Sequence, residues 1–166
     1  FRIPNMLRDL FAEGVFSSAF VPSFIEAKKE GFEEANRLFW SILVLLLFTT
    51  GIVSIFTIWF APEIIGLITD DSFTQNSKHF LLTVGLTRLM APFLIFISLA
   101  ALFMGVLNTL KLFFIPSLAP ALFNLILILS MIFTPKLLAE TSLHPIFSLG
   151  IGVIVGGLFQ ALVQLP

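Results

Sequence analysis

Residues 38–62 read LFWSILVLLLFTTGIVSIFTIWFAP, a run without a single Asp, Glu, Lys or Arg. As a helix it would extend about 37 Å at 1.5 Å per residue, more than the roughly 30 Å of hydrocarbon in a bilayer. Three further runs are equally free of those residues: Leu89 to Leu110, Leu112 to Pro135 and Thr141 to Pro166. None alternates polar with apolar residues as a barrel strand must, and an unpaired backbone is intolerable in lipid, so each run reads as a helix. The whole chain supports this. Of its 166 residues 58% are hydrophobic and 11% charged, with a mean hydropathy of +1.07. One soluble core of this size could not hide so much apolar side chain.

Working outward from residue 38, the preceding segment is polar, with Glu26, Lys28, Lys29, Glu30, Glu33, Glu34 and Arg37. Before it stands FRIPNMLRDLFAEGVFSSAFVPSF, residues 1–24, apolar enough to span yet carrying Arg2, Arg8, Asp9 and Glu13. The pattern predicts five spanning helices, over residues 4–27, 32–60, 78–109, 114–133 and 145–165. Segment 61–68, APEIIGLI, is too short to cross and is expected along the interface, followed by a polar loop over 69–77. The fold class expected is an all-α, polytopic transmembrane bundle forming a single unit. It is expected to be an internal fragment of a longer membrane protein.

Sidedness follows from the basic residues. Lys28, Lys29, Arg37 and Lys111 fall in the connections after the first and third helices, against Lys78 and Lys136 after the second and fourth. The positive-inside rule makes the first set cytoplasmic. Gly152 and Gly156, extended by Gly157, form a small-residue surface, and Ser98, Ala101 and Gly105 form another; the plain reading of both is close helix packing. Pro22, Pro92, Pro116 and Pro120 predict bends, which serve equally as hinges or as fixed shape.

Several chemistries lose support at this point. A net charge of −1 argues against a nucleic-acid surface. Without cysteine there is no thiol nucleophile, disulfide or Cys-based metal site. His79 and His144 lack a carboxylate or second His at ligand spacing, and no glycine-rich phosphate loop is present. No cofactor is expected. Asn108, Asn124, Gln160 and Gln164 read first as interhelical hydrogen-bonding residues.

Charges within spans are the informative positions, because they face a cavity or a partner. At 100° per residue Arg2, Asp9, Glu13 and Ser17 fall on one stripe of the first helix, with Asn5 and Arg8 to one side. Two readings stay open for Arg8: a structural ion pair with a neighbouring helix, or a hydrated cavity that receives an anionic, phosphate-like group through its forked donors. Arg88, about three turns into the third helix, reads first as structural or interfacial, with a cavity role as the alternative.

The segment RIPNMLRDLFAEGVFSSAFVPSF resembles the second transmembrane helix of the MurJ (MviN) flippase family. RLMAPFLIFISLAALFMGVLNTLKLFFIPSLAPALFN is similar to that family's fourth helix, its short turn and the start of the fifth, and VGGLFQALVQLP to the close of the sixth. The resemblance implies most of the N-terminal lobe of a fourteen-helix transporter of the multidrug/oligosaccharidyl-lipid/polysaccharide exporter superfamily. It also implies a bacterial cytoplasmic membrane location and no enzymatic step. The activity implied is flipping of lipid II by alternating access for cell-wall synthesis, with lipid II, membrane lipids and the remaining helices as partners. By the same resemblance Arg8 matches the arginine of the N-L-L-R motif, and Asn5 and Glu13 match cavity-side residues. Asp9 departs from the pattern, where a second Arg is common. Arg2, Ser17 and Arg88 complete the cavity candidates. Alternatives are a drug or polyprenyl-linked polysaccharide exporter, or a membrane scaffold that transports nothing.

Overall fold

A computed structural model describes residues 15–70, 73, 77–140 and 143–166. It is all-helical, with no strand among the described residues. The helices are α1 (Val15–Glu30), α2 (Phe32–Trp59), α3 (Ala61–Ile68), α4 (Ser77–Met90), α5 (Phe93–Thr109), α6 (Phe114–Leu138) and α7 (Phe147–Val163). Phe32–Trp59, Lys78–Thr109 and Phe114–Leu138 are long and apolar enough to cross a membrane, and α7 is a shorter apolar helix.

Gly31 alone joins α1 to α2. Its N–H donates to the Ala27 carbonyl (3.1 Å) and its own carbonyl accepts from Ala35 N–H (3.2 Å). The turn needs φ 151° and ψ 166°, a conformation open essentially to glycine. Charges suit the helix dipoles on either side: Lys28 and Lys29 close α1, and Glu33 and Glu34 open α2. Pro22 lies inside α1 without ending it. The helix loses one donor there and continues, while the Ser23 hydroxyl donates to the Ala19 carbonyl at 3.1 Å. Phe20 and Phe24, on one face of α1, pack with Ala35 and Leu46 of α2 and Leu102, Phe103 and Val106 of α5.

The expected third helix is interrupted. Ala91 and Pro92 form a turn in which Leu94 N–H donates to Ala91 O (3.2 Å) and Ile95 N–H to Pro92 O (3.1 Å), so α4 and α5 are separate helices. Proline has no N–H to offer the carbonyl four residues back, that of Arg88, and three-residue bonds replace the four-residue ladder. The short α3 sets Ala61 and Ile65 against Val84 of α4 and leaves Leu67 and Ile68 exposed. Expected over 114–133, the next helix extends to Leu138, past Pro135, because Ala139 N–H still reaches the Pro135 carbonyl at 3.0 Å.

Glycines set how closely α7 approaches its neighbours, on two faces. A Cβ on Gly152 would stand 2.9 Å from Ser130 Cβ, and one on Gly156 would stand 3.2 Å from the Phe123 carbonyl oxygen, both on α6. Gly157 belongs to the other face, where a Cβ would meet Phe93 at 2.6 Å, as one on Gly150 would meet Leu89 at 2.6 Å. Leu89 and Phe93 lie on either side of the Ala91–Pro92 turn, so α7 splints that bend from both sides. The α6–α7 contact also carries a polar chain. Ser130 Oγ donates to the Ser148 carbonyl at 2.9 Å, so the Thr134 hydroxyl, 3.0 Å away, is the donor to Ser130 Oγ.

Candidate functional site at the α1 wall and the Arg88 rim

Arg2, Asn5, Arg8 and Glu13 lie outside the described residues. Ser17 falls on α1, where only its backbone is described. What is described is how α1 is held. Phe20 is 3% exposed, and a Cβ on Gly105 of α5 would lie 2.9 Å from its ring. Phe24 stands 5.3 Å from Phe20, centroid to centroid. Ser98, Ala101 and Gly105 are all buried, so this small-residue face of α5 is covered. The sequence pattern alone bears on the stripe. At 100° per residue Asp9 and Glu13 fall within about 20° of Phe20, and Arg8 about 120° away. Were the helical pattern to continue through residue 8, the acidic stripe would share the sector of the aromatic face that meets α5, and Arg8 would fall in another.

Arg88 lies on α4 and is exposed. Its Nε–H donates to the carbonyl of Ile58, 30 positions earlier, at 3.0 Å. That oxygen is in the last turn of α2, where a carbonyl has no partner further along the helix. A guanidinium there also meets the negative end of the helix dipole. The depth of this contact follows from helix length. Arg37 and Ile58 are 21 positions apart, and so are Arg88 and Thr109. Each interval spans about 31 Å at 1.5 Å per residue, close to the roughly 30 Å hydrocarbon thickness. By length alone, with the second interval taken across the Ala91–Pro92 turn, these spans would set Arg88 near one face of the hydrocarbon and Arg37 and Lys111 near the other.

Three other polar side chains hydrogen-bond locally. His144 Nδ1 accepts the N–H of Ile146 at 3.3 Å where α7 begins. Gln164 Nε2 donates to the Gln160 carbonyl at 2.9 Å. Ser98 Oγ donates to Leu94 O at 2.7 Å. Among the described residues no three His, Asp or Glu side chains gather where a metal could bind.

Comparison with known proteins covers the same ground from outside. The family model described as lipid II flippase MurJ matches residues 1–166. A Burkholderia cenocepacia protein described as lipid II flippase MurJ is 39% identical over all of this chain and 31% of its own length. Proteins of Buchnera aphidicola subsp. Schizaphis graminum and Treponema pallidum, each described as a probable lipid II flippase MurJ, are both 38% identical. They are covered over 32% and 30% of their lengths, and this chain over 100% and 99% of its own. The chain spans about a third of the length of these curated relatives. With its whole length matched, it belongs to the lipid II flippase MurJ family.

Proposed function

We propose that the protein containing this chain moves lipid II from the cytoplasmic to the periplasmic leaflet of the bacterial inner membrane by alternating access. The observation that carries the reading is the family match over residues 1–166. It is supported by a charged first span, costly in lipid, for which a hydrated cavity is a physical reason. The chain would supply part of one lobe, with no catalytic step and no cofactor, and the substrate tail would stay in lipid while the headgroup crosses.

In this reading Arg8 pairs with the diphosphate, since guanidinium keeps its charge and offers a fork of donors. Asn5, beside it on the wheel, donates to the same group. Glu13, in the sector of Phe20, holds an arginine in place on the α5 side, with Arg2 and Ser17 completing the polar wall. Phe20, seated against Gly105, fixes the rotation of α1 and with it the sector in which Arg8 stands.

The test uses the full-length protein in cells depleted of their own flippase and in a lipid II accessibility assay. Arg8→Ala is expected to abolish growth and flipping at normal protein abundance, and Arg8→Lys to keep part of both. Normal flipping by Arg8→Ala refutes the assignment. A membrane scaffold would instead leave Asn5→Cys and Ser17→Cys closed to polar thiol reagents in every state. An exporter of other cargo would flip no lipid II.

A further inference from the structure

Arg88 does two things at once. Its Nε is committed to the Ile58 carbonyl at 3.0 Å, which leaves the four N–H groups of its two terminal nitrogens for other partners. Among the described residues its side chain makes that one hydrogen bond and no ion pair, although Glu63 and Asp70 belong to the same end of the bundle. The residue is exposed and stands, by the two helix intervals above, at the depth where hydrocarbon gives way to headgroups. Trp59, next to the capped carbonyl, is 75% exposed, as befits an aromatic at a membrane interface. One to two turns deeper on α2, Ile52, Ile55 and Phe56 are exposed and apolar.

We infer that Arg88 is a binding site for the phosphate of a lipid headgroup on the rim of the bundle, at the end opposite Lys28, Lys29, Arg37 and Lys111. A guanidinium anchored through Nε presents its outer edge in a fixed direction, so little side-chain entropy remains to be lost when two phosphate oxygens dock on the terminal nitrogens. Ile52, Ile55 and Phe56, exposed on the helix whose end Arg88 caps, offer the attached chains an apolar surface. A lysine would offer the charge without the fork, and an Arg88 free of Ile58 would offer the fork without the fixed direction. The chemistry fits either a resident anionic phospholipid or a polyprenyl diphosphate. It rests on membrane placement and one hydrogen bond, independently of the flipping reading.

Native mass spectrometry of the detergent-solubilised full-length protein tests it, titrating phosphatidylglycerol and, separately, a polyprenyl diphosphate. Arg88→Gln is expected to weaken retention of one of them about fivefold, the effect of one basic residue near a lipid surface. Arg88→Lys should recover part of it. Lys78→Gln removes an exposed charge from the same helix and should change nothing. Whichever lipid depends on Arg88 names the source. Wild-type retention of both lipids by Arg88→Gln overturns the site, as does an equal loss in Lys78→Gln, which would mean a diffuse field. Should Arg88→Gln fail to fold, Arg88→Lys decides: weakened retention supports the site and wild-type retention overturns it. No turnover is measured, so this result and the flipping test fail separately.

Discussion

Adding one methyl group at Gly152 should separate α6 from α7. An alanine Cβ would lie 2.9 Å from Ser130 Cβ, 3.0 Å from Leu127 Cδ1 and 3.1 Å from Ser130 Oγ. Carbon atoms pack best at about 3.5–4.0 Å, so the helices must part by roughly 0.6–1 Å. Both Cβ atoms are rigidly tied to their backbones, and no rotamer change relieves the clash. The Ser130 to Ser148 hydrogen bond, 2.9 Å in the native packing, would stretch beyond useful geometry. Overpacking of this kind costs about 1–3 kcal/mol, and an interhelical hydrogen bond in a membrane about 0.6 kcal/mol. Gly152→Ala should therefore destabilise the bundle by roughly 2–3 kcal/mol, measured by reversible unfolding of the full-length protein in bilayers or mixed micelles. Ser130→Ala alone should cost about 0.6 kcal/mol for the interhelical bond beside the bond from Thr134, and correspondingly less in the Gly152→Ala background, where the interhelical bond is already lost. Ser130→Gly in that background should restore part of the stability by vacating the space. A Gly152→Ala protein as stable as the native one, or strictly additive double mutants, would refute the packing argument.

Three other substitutions probe different parts of the chain. Lys111 occupies the left-handed position at the end of α5, φ 63°, where Leu112 N–H reaches Leu107 O at 2.9 Å and Lys111 N–H reaches Asn108 O at 3.1 Å. Glycine is the usual residue at this place in such a helix end, so Lys111→Gly should stabilise the fold by about 1 kcal/mol in the same unfolding assay. Gly31→Ala should destabilise by about 1–3 kcal/mol although nothing lies within 4 Å of a Cβ there, because the strain is in the backbone. Gly105→Ala, which meets the Phe20 ring at 2.9 Å, should cost about 1–3 kcal/mol. Phe20→Leu should recover part of it, and a failure of that rescue in the double mutant would disprove the contact.

The spans were legible because lipid reads composition. Charge-free runs bounded by Arg37, Arg88, Lys111 and Lys136 mark where α2, α5 and α6 lie, whatever their neighbours do. The basic pair closing α1, the acidic pair opening α2 and the isolated 61–68 helix follow from equally local physics. Candidate site residues were legible as a charged stripe, but Arg2, Asn5, Arg8 and Glu13 fall outside the described residues, so their place in a cavity stays a proposal. Pro92 and Pro135 look alike in sequence, yet one divides α4 from α5 and the other is absorbed within α6. A proline removes a single bond, and packing around it settles whether the helix goes on.

Which residues touch depends on helix rotation and depth, and no single helix determines either. Gly152, Gly156 and Gly157 look like one surface along the chain. The structure assigns the first two to α6 and the third, with Gly150, to α4 and α5, because a helix turning 100° per residue shows adjacent glycines to different neighbours. Arg88 counted along its own helix stands inside a span. The 32 residues of Lys78–Thr109 make that stretch longer than the bilayer is thick, and the bond to Ile58 ties the guanidinium to the last turn of α2. The sequence by itself determined what dissolves in lipid; the tertiary structure decided which helices meet and, as at Arg88 and Ser130, which polar groups pair, because a partner depends on the rotation of two helices at once.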